Sequence, residues 1–305
     1  MNEQYNKQVA LIVRILPYIA KEDCFALKGG TAINLFYANM PRLSVDIDLS
    51  YVALEPRAKA IKNINAALER IKISLEKAGI KTHLQKNNSG YIKMTCYSED
   101  ISIKIEPNYV IRGTVFPTKK MTICSAAQEL YGFAAIKVLN KAELYGGKIC
   151  AALDRQHPRD LFDVKYLLDN EGLTEDIQIG FLIALISHNR PLYELISPNR
   201  LDRETQYLQE FKGMTDTNFS YKDHKETLEK LVNLLNESFT ENQKAFIVSF
   251  HKLMPRWDLL NIKDVEALPA IKWKLQNLKS LKVENLSKYT EEIEKVKEVL
   301  KYDTN

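Results

Sequence analysis

The spacing of apolar residues first predicts helices that alternate with short strands. Residues 5–20 carry apolar side chains at every third or fourth position, which predicts an amphipathic helix. The segment CFALKG (24–29) predicts a short strand, and residues 31–40 predict a second helix. A longer third helix is predicted between Pro56 and Gly79, because its apolar residues keep the helical spacing throughout.

Apolar and polar residues alternate strictly in the segment LSVDIDLSYV (43–52), which predicts a strand with one buried face. The polar side chains of this segment lie together on the other face: Ser44, Asp46, Asp48 and Ser50. Residues two positions apart on a strand are separated by about 7 Å. Asp46 and Asp48 therefore place two carboxylates side by side, and their repulsion indicates a functional site rather than a core.

Two further strands are predicted at residues 91–98 and 101–110, and the two residues between them predict a tight hairpin. In the second of these strands, Ser102, Lys104 and Glu106 face away from the apolar side. Glu106 can therefore join the two aspartates if its strand lies beside theirs.

The chain changes character after residue 120. A short strand precedes a helix that Asn140 caps, with Glu143 three positions later, and most of the remaining sequence predicts helices joined by polar turns. We therefore predict an α+β fold, with a mixed-sheet α/β domain over residues 1–120 and a mainly helical C-terminal domain over residues 121–305.

Several residues of the helical domain have a structural interpretation. His157 precedes Pro158 at a helix start and is interpreted as a capping or surface residue. Arg159 and Asp163 are four positions apart, which favours an ordinary ion pair on the helix surface. An apolar stripe is interpreted as helical-domain core rather than a platform for base stacking: Trp257, Trp273, Leu275 and Leu278.

Composition narrows the class of protein. The chain has 305 residues and is 45% hydrophobic, which is enough for a buried core and two domains. No apolar run reaches the length of a membrane span and the N-terminus does not resemble a signal peptide, so we expect a cytoplasmic protein with no membrane partner. The four widely separated cysteines predict free thiols rather than a zinc site or disulfides. The net charge of +4 is compatible with a nucleic-acid partner.

The two aspartates and the Gly-Gly-Thr turn before them predict chemistry at a phosphate. Hard divalent cations such as Mg²⁺, or alternatively Mn²⁺, take oxygen ligands and bridge carboxylates to substrate phosphates. The turn formed by Gly29, Gly30 and Thr31 opens a helix and presents backbone N–H groups to phosphate oxygens. These features together predict transfer at a phosphorus atom of a metal-bound nucleoside triphosphate.

Three segments resemble the AbiEii-type nucleotidyltransferases of the DNA polymerase β-like superfamily. GGTAINLFYANMPRLSVDIDL (29–49) is similar to the first family motif, a Gly-Gly/Ser-Thr turn followed by R-x-S-x-D-[ILV]-D-L. ELYGGKICAALDRQHPRDLFDV (143–164) is similar to a later stretch, in which a helix with a lysine leads to R-x-x-x-R-D-x-x-D. LPAIKWKLQNLKSL (268–281) is similar to a Trp-Lys-Leu-x-Asn segment near the family's C-terminus. The resemblance implies a polymerase β-like N-terminal domain and a helical domain that completes the active-site cleft.

The resemblance implies a role for each matching position. Asp46 and Asp48 would bind the catalytic metal ion or ions, with Glu106 as a third metal ligand. The family's second motif is usually K-x-D, whereas this chain has Lys104-Ile105-Glu106, whose carboxylate stands on a longer side chain. Lys148 would neutralise the triphosphate. Asp160 would position Lys148, an arginine or the nucleotide. The residues expected to contact the nucleotide or acceptor are Gly29, Gly30, Thr31, Arg42, Ser44, Lys148, Arg155 and Arg159.

The resemblance also implies a toxin of a type IV toxin–antitoxin or phage-defence system. Such a toxin would move a nucleoside monophosphate from a nucleoside triphosphate to an acceptor hydroxyl, with RNA or tRNA as the acceptor. It implies an antitoxin encoded nearby, which need not bind the toxin directly. Two alternatives stay open: a small-molecule nucleotidyltransferase of the antibiotic-inactivating kind, and a nucleotide-binding regulator without turnover. The excess of lysine and arginine favours an anionic acceptor, and the K-x-E departure favours the regulator.

Overall fold

The computed structural model describes residues 2–87 and 90–302 of the chain. An α/β part is followed by a mainly helical part, so the predicted α+β fold class is confirmed. No helix of the described residues is long and apolar enough to cross a membrane. The cysteines are free thiols, as predicted.

Contacts between Cα atoms divide the chain into two compact units. The first unit comprises Met1–Leu144 with Phe211–Asn218, and the second comprises Tyr145–Glu210 with Phe219–Asn305. The predicted domain limit at residue 120 stays a prediction. The strand Lys119–Thr122, which spans that residue, and the later strand Ala135–Val138 belong to the same sheet as the strands before them.

Within the described residues, seven strands form one mixed sheet in the first unit. The strands are β1 (Phe25–Lys28), β2 (Asp46–Tyr51), β3 (Lys81–Asn87), β4 (Gly90–Ser98), β5 (Ile101–Asn108), β6 (Lys119–Thr122) and β7 (Ala135–Val138). Their order is β3-β4-β5-β2-β1-β7-β6, so β2 lies in the middle, while β3 and β6 form the edges. β2 is antiparallel to β1 and parallel to β5.

The sequence pattern does not predict the two edge strands. β3 contains Leu84 among polar residues, and β6 has the sequence KKMT. An edge strand has a neighbour on one side only and tolerates lysines, so its sequence carries little alternation. The β4–β5 hairpin is confirmed: Ser98 pairs with Ile101, and Glu99 in the turn has a φ of 51°.

The first unit also contains helices, several of which pack on the sheet. They are α1 (Glu3–Ile19), α2 (Gly29–Ala32), α3 (Arg57–Lys77), α4 (Ser125–Tyr131) and the first residues of α5 (Lys141–Arg155). α1 contacts β5 and β7, and α3 contacts β3 and β4. The inward side chains of β4 and β5 are buried: Met94, Cys96, Ile103 and Ile105. A π-helical turn continues α2 and ends at Tyr37, three residues before the predicted end at Met40.

The second unit is helical. After the remainder of α5 it contains α6 (Pro158–Asn170), α7 (Glu175–Ser187), α8 (Leu192–Ile196), α9 (Glu204–Gln206), α10 (Tyr221–Ser238), α11 (Glu241–His251), α12 (Pro269–Glu284) and α13 (Leu286–Leu300). α5 and α7 approach closely at a glycine pair. A Cβ on Gly146 would lie 2.2 Å from the carbonyl carbon of Gly180, whereas a Cβ on Gly147 would meet nothing within 4 Å.

Two predicted helix caps differ in outcome. The His157 ring caps α6, as predicted, because its Nδ1 accepts a hydrogen bond from the Arg159 N–H at 3.2 Å. Asn140 caps α5 by accepting a hydrogen bond from the Ala142 N–H at 2.9 Å. Glu143, expected to complete that cap, accepts hydrogen bonds from the Thr114 hydroxyl and the Val115 N–H instead.

The interpretation of Trp273 as core is wrong. Its side chain is 51% exposed, whereas the neighbouring Lys274 is buried. The Lys274 ammonium donates to the carbonyl oxygens of Asn189 at 3.3 Å and Arg190 at 2.5 Å. Burial lowers the pKa of Lys274 to about 8. α12 therefore turns a lysine inward, because two backbone carbonyls accept its hydrogen bonds, and leaves the tryptophan at the surface.

Candidate active site

The Gly-Gly-Thr turn lies directly against β2. Gly29 has a φ of +73°, and a Cβ built there would lie 2.1 Å from the Asp48 Oδ2. A Cβ on Gly30 would lie 2.7 Å from the Arg42 Nη2 and 2.9 Å from the Ser44 Oγ. Any larger residue at either position would therefore displace a side chain of the candidate site. The glycines are required by this close approach, which the sequence indicates only as a turn.

The hydroxyl of Thr31 joins the turn to the β2 segment. It donates a hydrogen bond to the carbonyl oxygen of Asp46 and lies 3.1 Å from the Ser44 Oγ. Thr31 and Ser44 are both buried. Their predicted contacts with nucleotide phosphates stay predictions, while the structure gives both hydroxyls a place in the connection between turn and strand.

Arg42 is a buried part of the same arrangement. Its side chain is only 2% exposed, and its Nη1 donates a hydrogen bond to the Leu43 carbonyl oxygen at 2.8 Å. The guanidinium lies against Gly30. A buried cation beneath this turn adds positive potential where phosphates are expected.

Three carboxylates occupy adjacent positions on β2 and β5; we call Asp46, Asp48 and Glu106 the carboxylate row. Glu106 is the cross-strand partner of Asp48 in the parallel pairing of these strands. Asp46 and Asp48, two positions apart, point to the same side of the sheet. The strand of Glu106 therefore lies beside the strand of the two aspartates, as Glu106 needs in order to join them.

The pKa of Glu106 is raised by its burial and its position in the carboxylate row. Burial raises the pKa of Glu106, and the negative charges of Asp48 and Asp46 raise it further. Lys104 and Lys93 oppose this effect but do not outweigh it. Negative charge therefore outweighs positive charge around Glu106. A bound cation would reduce the repulsion between these carboxylates.

The donor set of the carboxylate row fits a hard divalent cation, because all of its side-chain ligands are carboxylate oxygens. Among the described residues, no three His, Cys, Asp or Glu side chains are grouped closely enough to hold a metal by themselves. Mg²⁺ is commonly held by one or two carboxylates with substrate phosphates and water. The row fits such a substrate-completed site, with Asp46 and Asp48 as the protein ligands.

A second group of predicted residues lies in the second unit; we call Lys148, Arg155, Asp160 and Asp163 the ion-pair cluster. The Lys148 ammonium lies 2.8 Å from the Asp160 Oδ1 and 3.0 Å from the Asp163 Oδ2. The Arg155 Nε lies 2.5 Å from the Asp160 Oδ2. Lys148 and both aspartates are buried, while the Arg155 side chain is 58% exposed.

The ion-pair cluster compensates the charge of its central aspartate. Burial alone would raise the pKa of Asp160, but the charges and hydrogen bonds of Lys148 and Arg155 outweigh it and hold that pKa well below its usual range. Asp160 is therefore ionised at neutral pH and fixes both cations. The predicted positioning of Lys148 by Asp160 has a direct geometric basis.

Asp163 is the residue that the sequence interpretation placed wrongly. It is 1% exposed and its Oδ2 lies 3.0 Å from the Lys148 ammonium, so it is not a residue of the helix surface. Asp160 and Asp163 are three positions apart on α6, and this spacing puts both on one helix face. This spacing is the feature of the sequence from which a shared role of Asp160 and Asp163 could have been predicted.

Comparisons with known proteins bear on this geometry. The model of a family described as "Nucleotidyl transferase AbiEii toxin, Type IV TA system" matches residues 10–270. A solved structure of MenT4, a nucleotidyltransferase toxin from Mycobacterium tuberculosis H37Rv, is similar in fold with a TM-score of 0.56 and 15% sequence identity. The similarity covers 90% of this chain and 93% of that one. No curated protein matches the sequence significantly.

Proposed function

The chain belongs to the AbiEii family, the nucleotidyltransferase toxins of type IV toxin–antitoxin systems, and from this premise we propose a metal-assisted transfer to RNA. A hydroxyl of the acceptor attacks the α-phosphorus of a nucleoside triphosphate, the new phosphodiester forms, and pyrophosphate leaves. Asp46 and Asp48 hold a divalent cation, Mg²⁺ or Mn²⁺, which when bound stabilises negative charge on the phosphate oxygens.

In this proposal the Gly-Gly-Thr turn binds the phosphates of the nucleotide and β2 supplies the metal ligands. Gly29 and Gly30 leave the backbone bare, so the N–H groups of the turn can approach phosphate oxygens. Thr31 holds the turn against β2 through its hydrogen bond to Asp46. Arg42 adds positive charge from beneath. Phosphates and metal ligands are thus held by one connected backbone segment.

The single observation that carries the proposal is the contact between the Gly29 position and the Asp48 carboxylate. A Cβ on Gly29 would lie 2.1 Å from the Asp48 Oδ2, so the phosphate-binding turn and the metal-binding carboxylates share one surface. Glu106, beside Asp48, is a third oxygen ligand or a base for the attacking hydroxyl.

The ion-pair cluster supplies fixed positive groups in this proposal. Asp160 and Asp163 hold the Lys148 ammonium in one place, and Asp160 also holds the Arg155 guanidinium. The Arg155 side chain is 58% exposed, so an anionic group can approach its guanidinium. Lys148 and Arg155 accordingly act on the triphosphate or on the acceptor backbone.

RNA, tRNA among its forms, is the acceptor in this proposal, because the chain carries a net charge of +4 and a polyanion gains from an excess of lysine and arginine. The protein acts in the cytoplasm, where nucleoside triphosphates and RNA are available. A cognate antitoxin counteracts it without necessarily binding it.

The decisive experiment is incubation of the purified full chain with total RNA and each labelled nucleoside triphosphate, with and without Mg²⁺. Label in RNA that requires Mg²⁺ is the expected result. The matched control is the Asp46→Asn/Asp48→Asn variant, which keeps the side-chain shapes and should incorporate no label.

Other results assign the alternatives. Transfer to an aminoglycoside but not to RNA would identify a small-molecule enzyme. Nucleotide binding at equilibrium without pyrophosphate release, under every metal condition, would identify a regulator.

A further inference from the structure

The outward side of β3, β4 and β5 is an open sheet face beside the carboxylate row. Side chains alternate along these strands, and those on the outward side are exposed or half-buried. We call the lysine, histidine and tyrosine side chains on this side the basic face: Lys81, His83, Lys93, Tyr97 and Lys104. All of them belong to the first unit, as does the carboxylate row.

Strand register connects the basic face to the carboxylate row. Asp46 on β2 pairs with Lys104 on β5. Lys104 pairs with Thr95 on β4, and Thr95 pairs with His83 on β3. Neighbouring strands are about 4.8 Å apart, so this row runs about 14 Å from Asp46 to the sheet edge. The face is continuous with the candidate catalytic groups.

A second row lies further along the strands. Tyr97 on β4 pairs with Ser102 on one side and with Lys81 on the other. The Tyr97 ring is 43% exposed. A large aromatic side chain thus lies between a hydroxyl and an ammonium on an open face.

Lys93 and Lys104 interact electrostatically with Glu106, but the lysines of the basic face form no direct ion pair of the kind that other described surface lysines form. On helices of the described chain, Lys72 pairs with Glu76 at 2.8 Å and Lys165 with Asp169 at 2.6 Å. Within residues 2–87 and 90–302, Lys81, Lys93 and Lys104 form no ion pair.

Acidic residues are scarce around the basic face. Glu106, part of the carboxylate row, is the acidic residue on this side of the described parts of β3–β5. The hairpin turn carries Glu99 and Asp100 at the far end, where Asp100 lies 3.8 Å from the Lys7 ammonium. Lys93 and Lys104 act electrostatically on Glu106, so they lie at the end of the face next to the carboxylate row, whereas Lys81 lies on the edge strand beside Tyr97.

We propose that the basic face binds a single-stranded segment of the acceptor RNA and directs its reacting end toward the carboxylate row. The assignment rests on the proposed function. Lysines neutralise phosphates, and an exposed tyrosine ring stacks on a base that is not already stacked in a duplex. An RNA strand uses both kinds of group, because its phosphates pair with the lysines and a base stacks on the Tyr97 ring beside Lys81. The row geometry gives the strand a direction, from the sheet edge to Asp46.

RNA affinity measured without nucleotide tests this proposal on the full chain. A fluorescently labelled, unstructured RNA oligonucleotide is titrated at several salt concentrations and followed by anisotropy. Because each phosphate contact on a single strand contributes about 0.7 to the salt slope, the Lys81→Gln/Lys93→Gln/Lys104→Gln variant should lower that slope by about 2. Its affinity at low salt should fall about ten-fold or more.

The matched control removes the same amount of charge elsewhere. Lys59→Gln/Lys72→Gln/Lys165→Gln replaces three lysines that pair with acidic residues on helices, and it should bind RNA within about two-fold of the unchanged chain. Circular dichroism and thermal unfolding of both variants check that the fold is retained.

Tyr97 tests the stacking contact separately. Tyr97→Ala should weaken RNA binding about five-fold or more, while Tyr97→Phe keeps the ring and should retain the affinity. Equal losses in both variants would contradict stacking and leave a hydrogen bond of the hydroxyl as the contact.

The outcomes separate this inference from the proposed function. An unchanged affinity and salt slope in the triple variant overturn the basic face, even if the chain labels RNA. Tighter binding to duplex than to single-stranded RNA overturns the single-strand assignment. RNA binding that depends on the basic face, with no transfer of label by the unchanged chain, supports the surface and contradicts the proposed function.

Discussion

The carboxylate row and the ion-pair cluster contain similar side chains in opposite electrostatic states. In the row, burial and neighbouring aspartates raise the pKa of Glu106. In the cluster, burial is greater, yet Lys148 and Arg155 lower the pKa of Asp160. The sign of the local charge balance, rather than burial, separates the two sites.

The difference indicates different roles. A half-buried group of carboxylates with excess negative charge is suited to a cation that arrives with the substrate. A buried group in which each aspartate holds a cation is suited to keeping side chains in place. Substitutions in the row should therefore change activity more than stability, whereas substitutions in the cluster should change both.

Asp46→Asn should have the largest effect and tests whether the carboxylate row acts in catalysis rather than in stability. It removes one proposed metal ligand without changing the size of the side chain, so transfer activity should fall about a thousand-fold or more, corresponding to several kcal/mol of lost charge stabilisation. The thermal unfolding midpoint should stay the same or rise, because a like-charge repulsion is removed. Activity is measured as label incorporated into RNA. Asp169→Asn, on the surface of α6, is the control, and a variant at Asp46 that keeps full activity would falsify the metal assignment.

Asp160→Asn should change stability as well as activity. Loss of this carboxylate leaves the buried Lys148 with one partner instead of two, and breaking a buried ion pair costs about 3–5 kcal/mol. Urea unfolding of the variant and of Asp169→Asn measures the difference. The exposed pair of Asp169 should contribute no more than about 1 kcal/mol.

The same variant has a defined pH dependence. Because the folded-state pKa of Asp160 lies below its unfolded value, its stabilising contribution is complete above the unfolded pKa and is lost as the pH falls through the folded pKa. The difference in unfolding free energy between the unchanged chain and Asp160→Asn should therefore be largest near pH 7 and shrink below about pH 4. A difference that grows on acidification would contradict the compensated cluster.

Alanine substitutions at Gly146 and Gly147 test whether the close approach of α5 and α7 fixes the position of the ion-pair cluster. Gly146→Ala introduces a Cβ that would lie 2.2 Å from the backbone of Gly180, so α5 and α7 must separate, at a cost of about 1–3 kcal/mol. Gly147→Ala meets nothing within 4 Å and should stabilise the helix by up to about 1 kcal/mol. Thermal unfolding distinguishes the two variants. Equal midpoints would show that the helix crossing is not a constraint on the position of Lys148.

Glu106→Gln is the smallest of these changes. If Glu106 assists the site from the neighbouring strand, activity should fall about ten-fold, less than for Asp46→Asn, with no loss of stability. Comparison with Glu106→Asp, which restores the usual K-x-D motif, shows whether side-chain length limits the site. An activity loss in Glu106→Gln equal to that of Asp46→Asn would make Glu106 a full metal ligand.

The sequence predicted more of the strand site than of the helical one. Strict alternation over residues 43–52 was enough to place Asp46 and Asp48 on one side, because strand periodicity is local. The sequence interpretation put Asp163 on the helix surface and Trp273 in the core, whereas Asp163 is buried and Trp273 is exposed. A helix sequence with mixed residues on several sides leaves open which side packs inward until the neighbouring helices are known.

The edge strands illustrate a second limit. β3 and β6 have few apolar residues because each has only one neighbouring strand, so their sequences resemble loops. β3 nevertheless supplies Lys81 and His83 to the basic face, which no pattern in the sequence indicated.

The sequence by itself determined the family, the α+β class and the local placement of the Gly-Gly-Thr turn before the two aspartates. Tertiary structure alone decided that β2 pairs in parallel with β5, which sets Glu106 beside Asp48. It also decided that Asp160 and Asp163 both form ion pairs with Lys148. Periodicity and turn chemistry depend on residues close in the chain, whereas strand order and helix packing depend on contacts between residues far apart in it.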